Sequence, residues 1–170
     1  TVNMNSTRVN YLALTFNNNV NLDLRTINTP LSTSSVSYSG LGFEPTSLFF
    51  LPHYGTSLNS ISTNFGLTLA SAFVDTDLVS RGHSTSSRHN VGTSECGSLA
   101  DEIHILKYDG VPDIEANVDS YDSDGFTLDY YHVTIGSVKP WIVLSLGYEA
   151  TDDNKLLIPS WIFQAKGGLC

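Results

Sequence analysis

Between Val118 and Tyr148 the chain reads VDSYDSDGFTLDYYHVTIGSVKPWIVLSLGY, and this stretch narrows the choice of fold more than any other. Asp124-Gly125 stands between two runs rich in aromatic and β-branched residues, a placement that favours the positive-φ geometry of a tight hairpin turn. One strand is expected to end near Tyr121 and the next to begin at Phe126. From there Phe126, Leu128, Tyr130 and His132 share one face, with Thr127, Asp129 and Tyr131 on the other, the pattern of a half-buried antiparallel strand. A second turn at Gly136-Ser137 leads past Pro140 into Trp141 to Gly147, a run apolar on both faces and so suited to the interior of a sheet.

The same period of two recurs along most of the chain. Val9 to Phe16 is an apolar strand candidate ending in Asn17-Asn18-Asn19, which suits a turn. Val20, Leu22 and Leu24 alternate with Asn21, Asp23 and Arg25, as in a strand with one wet face. Val36 to Ser39 reads as a short strand, and Thr46 to Pro52, bounded by Pro45 and Pro52, as a buried one. Gly66 to Asp75 is expected to be a strand, as are Ile103 to Tyr108 and Val111 to Tyr121, the last pairing with Phe126 to Val133. Ser98 to Glu102 is read as a single helical turn. Leu156 to Phe163 carries Pro159, which places it at an edge or a bulge. Ser80 to Gly97 is only weakly patterned and is read as a long loop, kept for contact or function or else left mobile. The count is about nine to eleven short strands with almost no helix, so the expected fold is all-β, an antiparallel β-sandwich or jelly roll in one domain over residues 1–170.

Composition excludes several classes of function. The 170 residues carry a formal net charge of -9, which disfavours nucleic acid and anionic membrane surfaces as partners. Charged residues make up 15% of the chain, below the roughly 25% of an ordinary globular domain, and Ser, Thr, Asn and Gly fill the difference. No apolar run reaches the length of a membrane-spanning helix. Cys96 and Cys170 are too few for a disulfide framework and are read as two free thiols.

No catalytic constellation stands out. Serines, histidines and aspartates are plentiful, but none lies in a nucleophile elbow, and no phosphate loop or dinucleotide fingerprint is present. Glu102, Asp119 and Asp129 would serve glycoside hydrolysis only if the fold paired them. The protein is expected not to be an enzyme and to need no cofactor. Asp119, Asp122 and Asp124 partly match a calcium loop, but the glycine comes too early and the terminal glutamate is missing, so turn residues are the better reading and no metal site is assigned. Tyr130, Tyr131, Trp141, Trp161, Phe49 and Phe50 are more simply core or interface residues than sugar-stacking platforms. Asn5-Ser6-Thr7 is a weak match to a glycosylation acceptor. The feature singled out for partner binding is RGHSTSSRHN, where Arg81, His83, Arg88 and His89 gather four potential cations in an acidic chain.

Two segments together carry a resemblance: Gly42-Phe43-Glu44-Pro45 leading into Ser47-Leu48-Phe49-Phe50, and Ser123-Asp124-Gly125-Phe126-Thr127-Leu128 followed by Val143-Leu144-Ser145-Leu146-Gly147. With Ala72-Phe73-Val74-Asp75 between them, the pattern is similar to small all-β proteins encoded among the structural genes of tailed bacteriophages, over about residues 40–147. Ser80 to Gly97 and the segment after Tyr148 have no counterpart in it. The resemblance implies a virion component, a decoration of the capsid or a part of a tail or fibre, and supplies no catalytic residue. Its partners would be other virion proteins and further copies of itself. The alternative is a tail or fibre domain that binds a glycan or another receptor.

Overall fold

The computed structural model describes residues 20–53, 55, 68–87, 94–100, 102–107, 111–134, 136 and 138–148. Every regular element among the described residues is a strand: β1 (Val20–Asn28), β2 (Ser34–Ser39), β3 (Ser47–Pro52), β4 (Thr68–Val74), β5 (Ser80–Ser87), β6 (Ser94–Ala100), β7 (Ile103–Leu106), β8 (Pro112–Asp122), β9 (Gly125–Val133) and β10 (Pro140–Tyr148). They form a six-stranded sheet ordered β1-β10-β3-β4-β5-β6 and a four-stranded sheet ordered β2-β9-β8-β7. All paired neighbours are antiparallel. The fold is therefore the expected all-β, sandwich-like one. The strand candidates at Val9 to Phe16 and Leu156 to Phe163 lie outside the described residues, as do Trp161, Cys170 and the Asn5-Ser6-Thr7 triplet.

One apolar cluster lies between the sheets. Leu48, Phe50, Val74, Trp141 and Val143 enter it from the larger sheet, and Ile103, Ile105, Ile114, Phe126, Leu128 and Tyr130 from the smaller. Phe50 meets Phe126 edge-on across the two sheets at a centroid distance of 6.1 Å, and meets Trp141 at 6.3 Å. Such contacts favour the electropositive ring edge against the electron-rich face. Trp141, Tyr130 and Phe50, read above as core or interface, are core residues. The Tyr130 hydroxyl lies 2.9 Å from that of Tyr38, whose single proton goes to the Asn28 carbonyl at 2.9 Å, so Tyr130 is the donor in the pair. Burial pushes both phenols above their ordinary pKa, Tyr130 by more.

The β8–β9 hairpin forms where Asp-Gly announced it, but the turn is one residue earlier. Asp122 pairs with Gly125, leaving Ser123 and Asp124 as the two loop residues. Gly125 does not use positive φ. Its value is space, because a Cβ there would strike the carbonyl of Tyr38 on the neighbouring part of β2. Positive φ is used instead by Gly40 (84°) and Gly42 (77°), in the loop that carries the chain from the smaller sheet to the larger. The Asp124 carboxylate accepts from the amides of Gly40 (3.0 Å) and Gly42 (2.5 Å) and so holds that loop against the hairpin. Asp122 accepts from the hydroxyls of Ser120 and Thr127, both at 2.9 Å. Two of the three carboxylates that resemble a calcium loop are thus turn and strand fasteners, while Asp119 is exposed. No cluster of three metal-ligating side chains occurs among the described residues.

Two expectations are corrected. Ser80 to Gly97 is a hairpin rather than a long loop over the part described, since β5 and β6 pair from Arg81 with Ala100 to Ser87 with Ser94. The supposed helical turn at Ser98 to Glu102 is mostly the end of β6. The period of two was present but written in small residues: Ser80, Gly82, Ser84 and Ser86 are buried on one face of β5, while Arg81 and His83 are exposed on the other. The small face is required by β7, whose four residues are all buried. A Cβ at Gly82 would strike the carbonyl of Glu102 and come within 2.8 Å of His104 Nδ1, and Ser86 donates to the Lys107 carbonyl at 2.6 Å. The inner face of β5 thus lies against the chain on either side of, and within, β7, which is why larger apolar residues are absent there.

Candidate docking face

The outer face of the six-stranded sheet departs most from what its sequence predicts. In β1 the alternation of Leu22 and Leu24 with Asp23 and Arg25 calls for buried leucines and wet charges, and the structure does the reverse. Leu22 is 49% and Leu24 67% exposed. Arg25 turns the other way, bonding Asp23 through Nε at 2.5 Å and donating to the carbonyls of Ser39 and Gly40, both at 2.8 Å. The register explains the inversion. Ile27, of the same parity as Arg25, is buried and pairs with Trp141, and every other pair in the β1–β10 ladder follows from that match. A slip of one residue would bury the leucines but expel Ile27.

Pairing carries the apolar character across the sheet. Leu24 lies opposite Leu144, which lies opposite Phe49, which lies opposite Phe73. In the next row Thr26, Ile142 and Leu51 follow one another, Leu51 being 41% exposed. Beyond Phe73 comes Arg81, and His83 follows two residues along the same face of β5. The outward positions of β1, β10, β3, β4 and β5 hold no carboxylate, although the chain has 17. Arg81 and His83, singled out from the sequence, are thus exposed strand residues at the flank of an apolar face. Arg88 and His89 lie outside the described residues. The apolar character of β10 on both faces was visible in the sequence. The outward turn of the β1 leucines was not, because alternation gives a period but no sign.

The four-stranded sheet presents the opposite surface. Asn117 pairs with Asp129, and Ser35 pairs with Asp129 on its other side; the hydroxyls of Ser37 and Thr127 lie 2.8 Å apart. Glu115 stands on β8 with its pKa raised, first by burial, then by the nearby Glu102, with His132 opposing the shift. The phenol of Tyr131 is pushed upward by burial, by its hydrogen bond to Glu102 and by both glutamates. This is a polar, acidic face, in contrast with the apolar, carboxylate-free outward positions of β1, β10, β3 and β4. Large exposed apolar patches on an otherwise polar domain mark association surfaces. Comparison of the chain with models of known protein families, with curated protein sequences and with solved structures returns no match, so the surface itself is the ground for a functional reading.

Proposed function

We propose that the protein is a non-enzymatic structural component of a bacteriophage particle, most simply a decoration of the head, and that it docks through the outer face of its six-stranded sheet. The observation that carries this reading is the face just described, apolar across four strands, free of carboxylates, and flanked by Arg81 and His83. An apolar face removed from water by a neighbour supplies most of the free energy of association, and flanking cations select a partner edged by carboxylates. The resemblance of the Gly42 to Phe50 and Ser123 to Gly147 segments to phage structural proteins supports the location.

Cosedimentation of the purified protein with particles of the encoding phage tests the proposal. Binding is expected, weakening with added salt because exposed charges are screened over about 8 to 10 Å at ordinary ionic strength. Arg81→Ala should lower affinity without shifting the thermal midpoint, as an exposed charge contributes little to folding. Failure to bind particles, together with selective binding on a glycan array, would refute the proposal in favour of a receptor-binding domain.

A further inference from the structure

We infer that β5 and β6 form a flap, hinged at the end where Arg81 pairs with Ala100 and latched at the other by Ser86, that lifts off β7 while the rest of the sandwich stays folded. Both connections of this ribbon to the body lie at the hinged end. β5 begins at the turn from β4, and β6 continues past Ala100 into β7, which starts at Ile103. The turn is pinned to the smaller sheet. The Asp75 carboxylate accepts from the amides of Asp77 (3.0 Å) and Val79 (2.9 Å), and the Tyr121 hydroxyl of β8 donates to the Asp75 carbonyl at 2.7 Å. Near the far end, where Ser87 pairs with Ser94, the Ser86 hydroxyl donates to the Lys107 carbonyl at 2.6 Å. Among the described residues, lateral support stops short of that end. The β3–β4 ladder finishes at Phe50 with Ala72, whereas β4 pairs with β5 as far as Thr68 with Ser86.

The face that β5 turns inward gives it a weak hold. β3 and β10 bury Leu48, Phe50, Trp141 and Val143, whereas β5 buries Ser80, Gly82, Ser84 and Ser86, with no large apolar side chain among them. The hydroxyls of Ser80 and Ser84 are buried without a hydrogen-bond partner, so lifting hydrates them and offsets part of its own cost. Segments with few buried apolar contacts open locally, at less than the global free energy of unfolding. Lifting uncovers β7, including His104, against which Gly82 packs. It also carries Arg81 and His83 away from the docking face. That last consequence rests on the function proposed above, whereas the opening itself does not.

Thiol labelling of the folded protein tests the flap. Ser84 on the ribbon and Ser145 on β10 are both fully buried with unpartnered hydroxyls, so Ser84→Cys and Ser145→Cys form a matched pair, each made in the full chain with Cys96→Ser and Cys170→Ser. Ser84→Cys is expected to react with an aromatic disulfide reagent at least about a hundredfold faster than Ser145→Cys. Adding Ser86→Ala removes the latch and should speed the Ser84→Cys reaction roughly fivefold. Adding Tyr130→Phe, on β9, weakens the closed and lifted forms alike. It should speed Ser145→Cys by a similar factor and leave Ser84→Cys unchanged. Equal rates for the two thiols, or equal acceleration of both by Tyr130→Phe, would mean a single cooperative unfolding and overturn the flap. An unchanged rate with Ser86→Ala overturns the latch. If Ser84→Cys fails to fold, amide exchange of wild-type β5 and β6 against β8 and β9 replaces it, with the same hundredfold criterion. Phage particles that bind without slowing Ser84→Cys labelling would refute the link to docking alone, and particles that do not bind would refute the virion role alone.

Discussion

Gly82→Ala tests how closely β5 approaches β7. The added Cβ would collide with the Glu102 carbonyl oxygen and lie 2.8 Å from His104 Nδ1 and 3.2 Å from its Cε1. Non-bonded carbon contacts are comfortable near 3.5 to 4.0 Å, so the strands would have to part by about an ångström. Overpacking of this kind costs about 1–3 kcal/mol. Alanine also restricts the unfolded chain, which returns roughly 0.4–1 kcal/mol and leaves a net loss of about 1–2. For a chain of this size that lowers the thermal midpoint by roughly 2–8 °C. Ser84, two residues along on the same face, is the control. Its hydroxyl is fully buried without a hydrogen-bond partner, so Ser84→Ala removes an uncompensated polar group and keeps the Cβ. Stability should stay level or rise by up to about 1 kcal/mol. Urea denaturation with an unchanged slope separates the two outcomes. A Gly82→Ala variant as stable as wild type would mean that β7 does not lie against this face of β5, and the account of its small residues would fall.

The other predictions concern pH. The amides of Gly42 and Gly40, with a smaller pull from Arg25, hold the Asp124 carboxyl below the usual carboxylate range. Its stabilising contribution is therefore present above the ordinary value of about 3.9 and lost as pH falls through the lower folded value. Acid unfolding of wild type should be steeper in that window than that of Asp124→Asn, and superimposable profiles would refute the clasp. Burial raises the phenols of Tyr38, Tyr121, Tyr130 and Tyr131, so their contribution is complete below the ordinary tyrosine value of about 10 and declines as pH rises toward the folded values. Phenolate absorbance should show fewer than the chain's eight tyrosines titrating before alkaline unfolding, and free titration of all eight in the folded protein would refute their burial. Tyr130→Phe should cost about 1 kcal/mol in thermal denaturation by deleting the donor to Tyr38.

The strands most easily read from the sequence were those whose two faces differ in polarity. β8 and β9 alternate large apolar with polar residues, and Ile114, Ala116, Val118, Phe126 and Leu128 are buried as the pattern requires. β5 alternates too, but serine and glycine on its buried face look like loop residues unless the strand packed against them is known. β1 shows the other limit. Its leucines and charges alternate clearly, yet the side that faces in is decided at Ile27 by a partner more than a hundred residues away. The docking face was unreadable for the same reason. It is assembled row by row from β1, β10, β3 and β4, and no single segment announces it. Arg81 and His83 were found by their charge alone, and only the strand register places them beside an apolar neighbour.

The strand order of the larger sheet has a consequence for how the chain is made. β10 lies between β1 and β3 and is hydrogen-bonded to both, yet it is the last described strand in the sequence. During synthesis β1 and the β3-to-β6 meander emerge long before the strand that joins them, and β3 must wait with one ladder edge unpaired. Closing loops this long before the pairing rewards them makes folding slow, on the millisecond-to-second scale of non-local β topologies. Until residues 140–148 leave the ribosome, the leucines of β1 and the open edge of β3 invite pairing with neighbouring nascent chains. A stop codon placed just before Pro140 should therefore yield two unjoined pieces of sheet and an aggregating product, rather than a sandwich short of an edge.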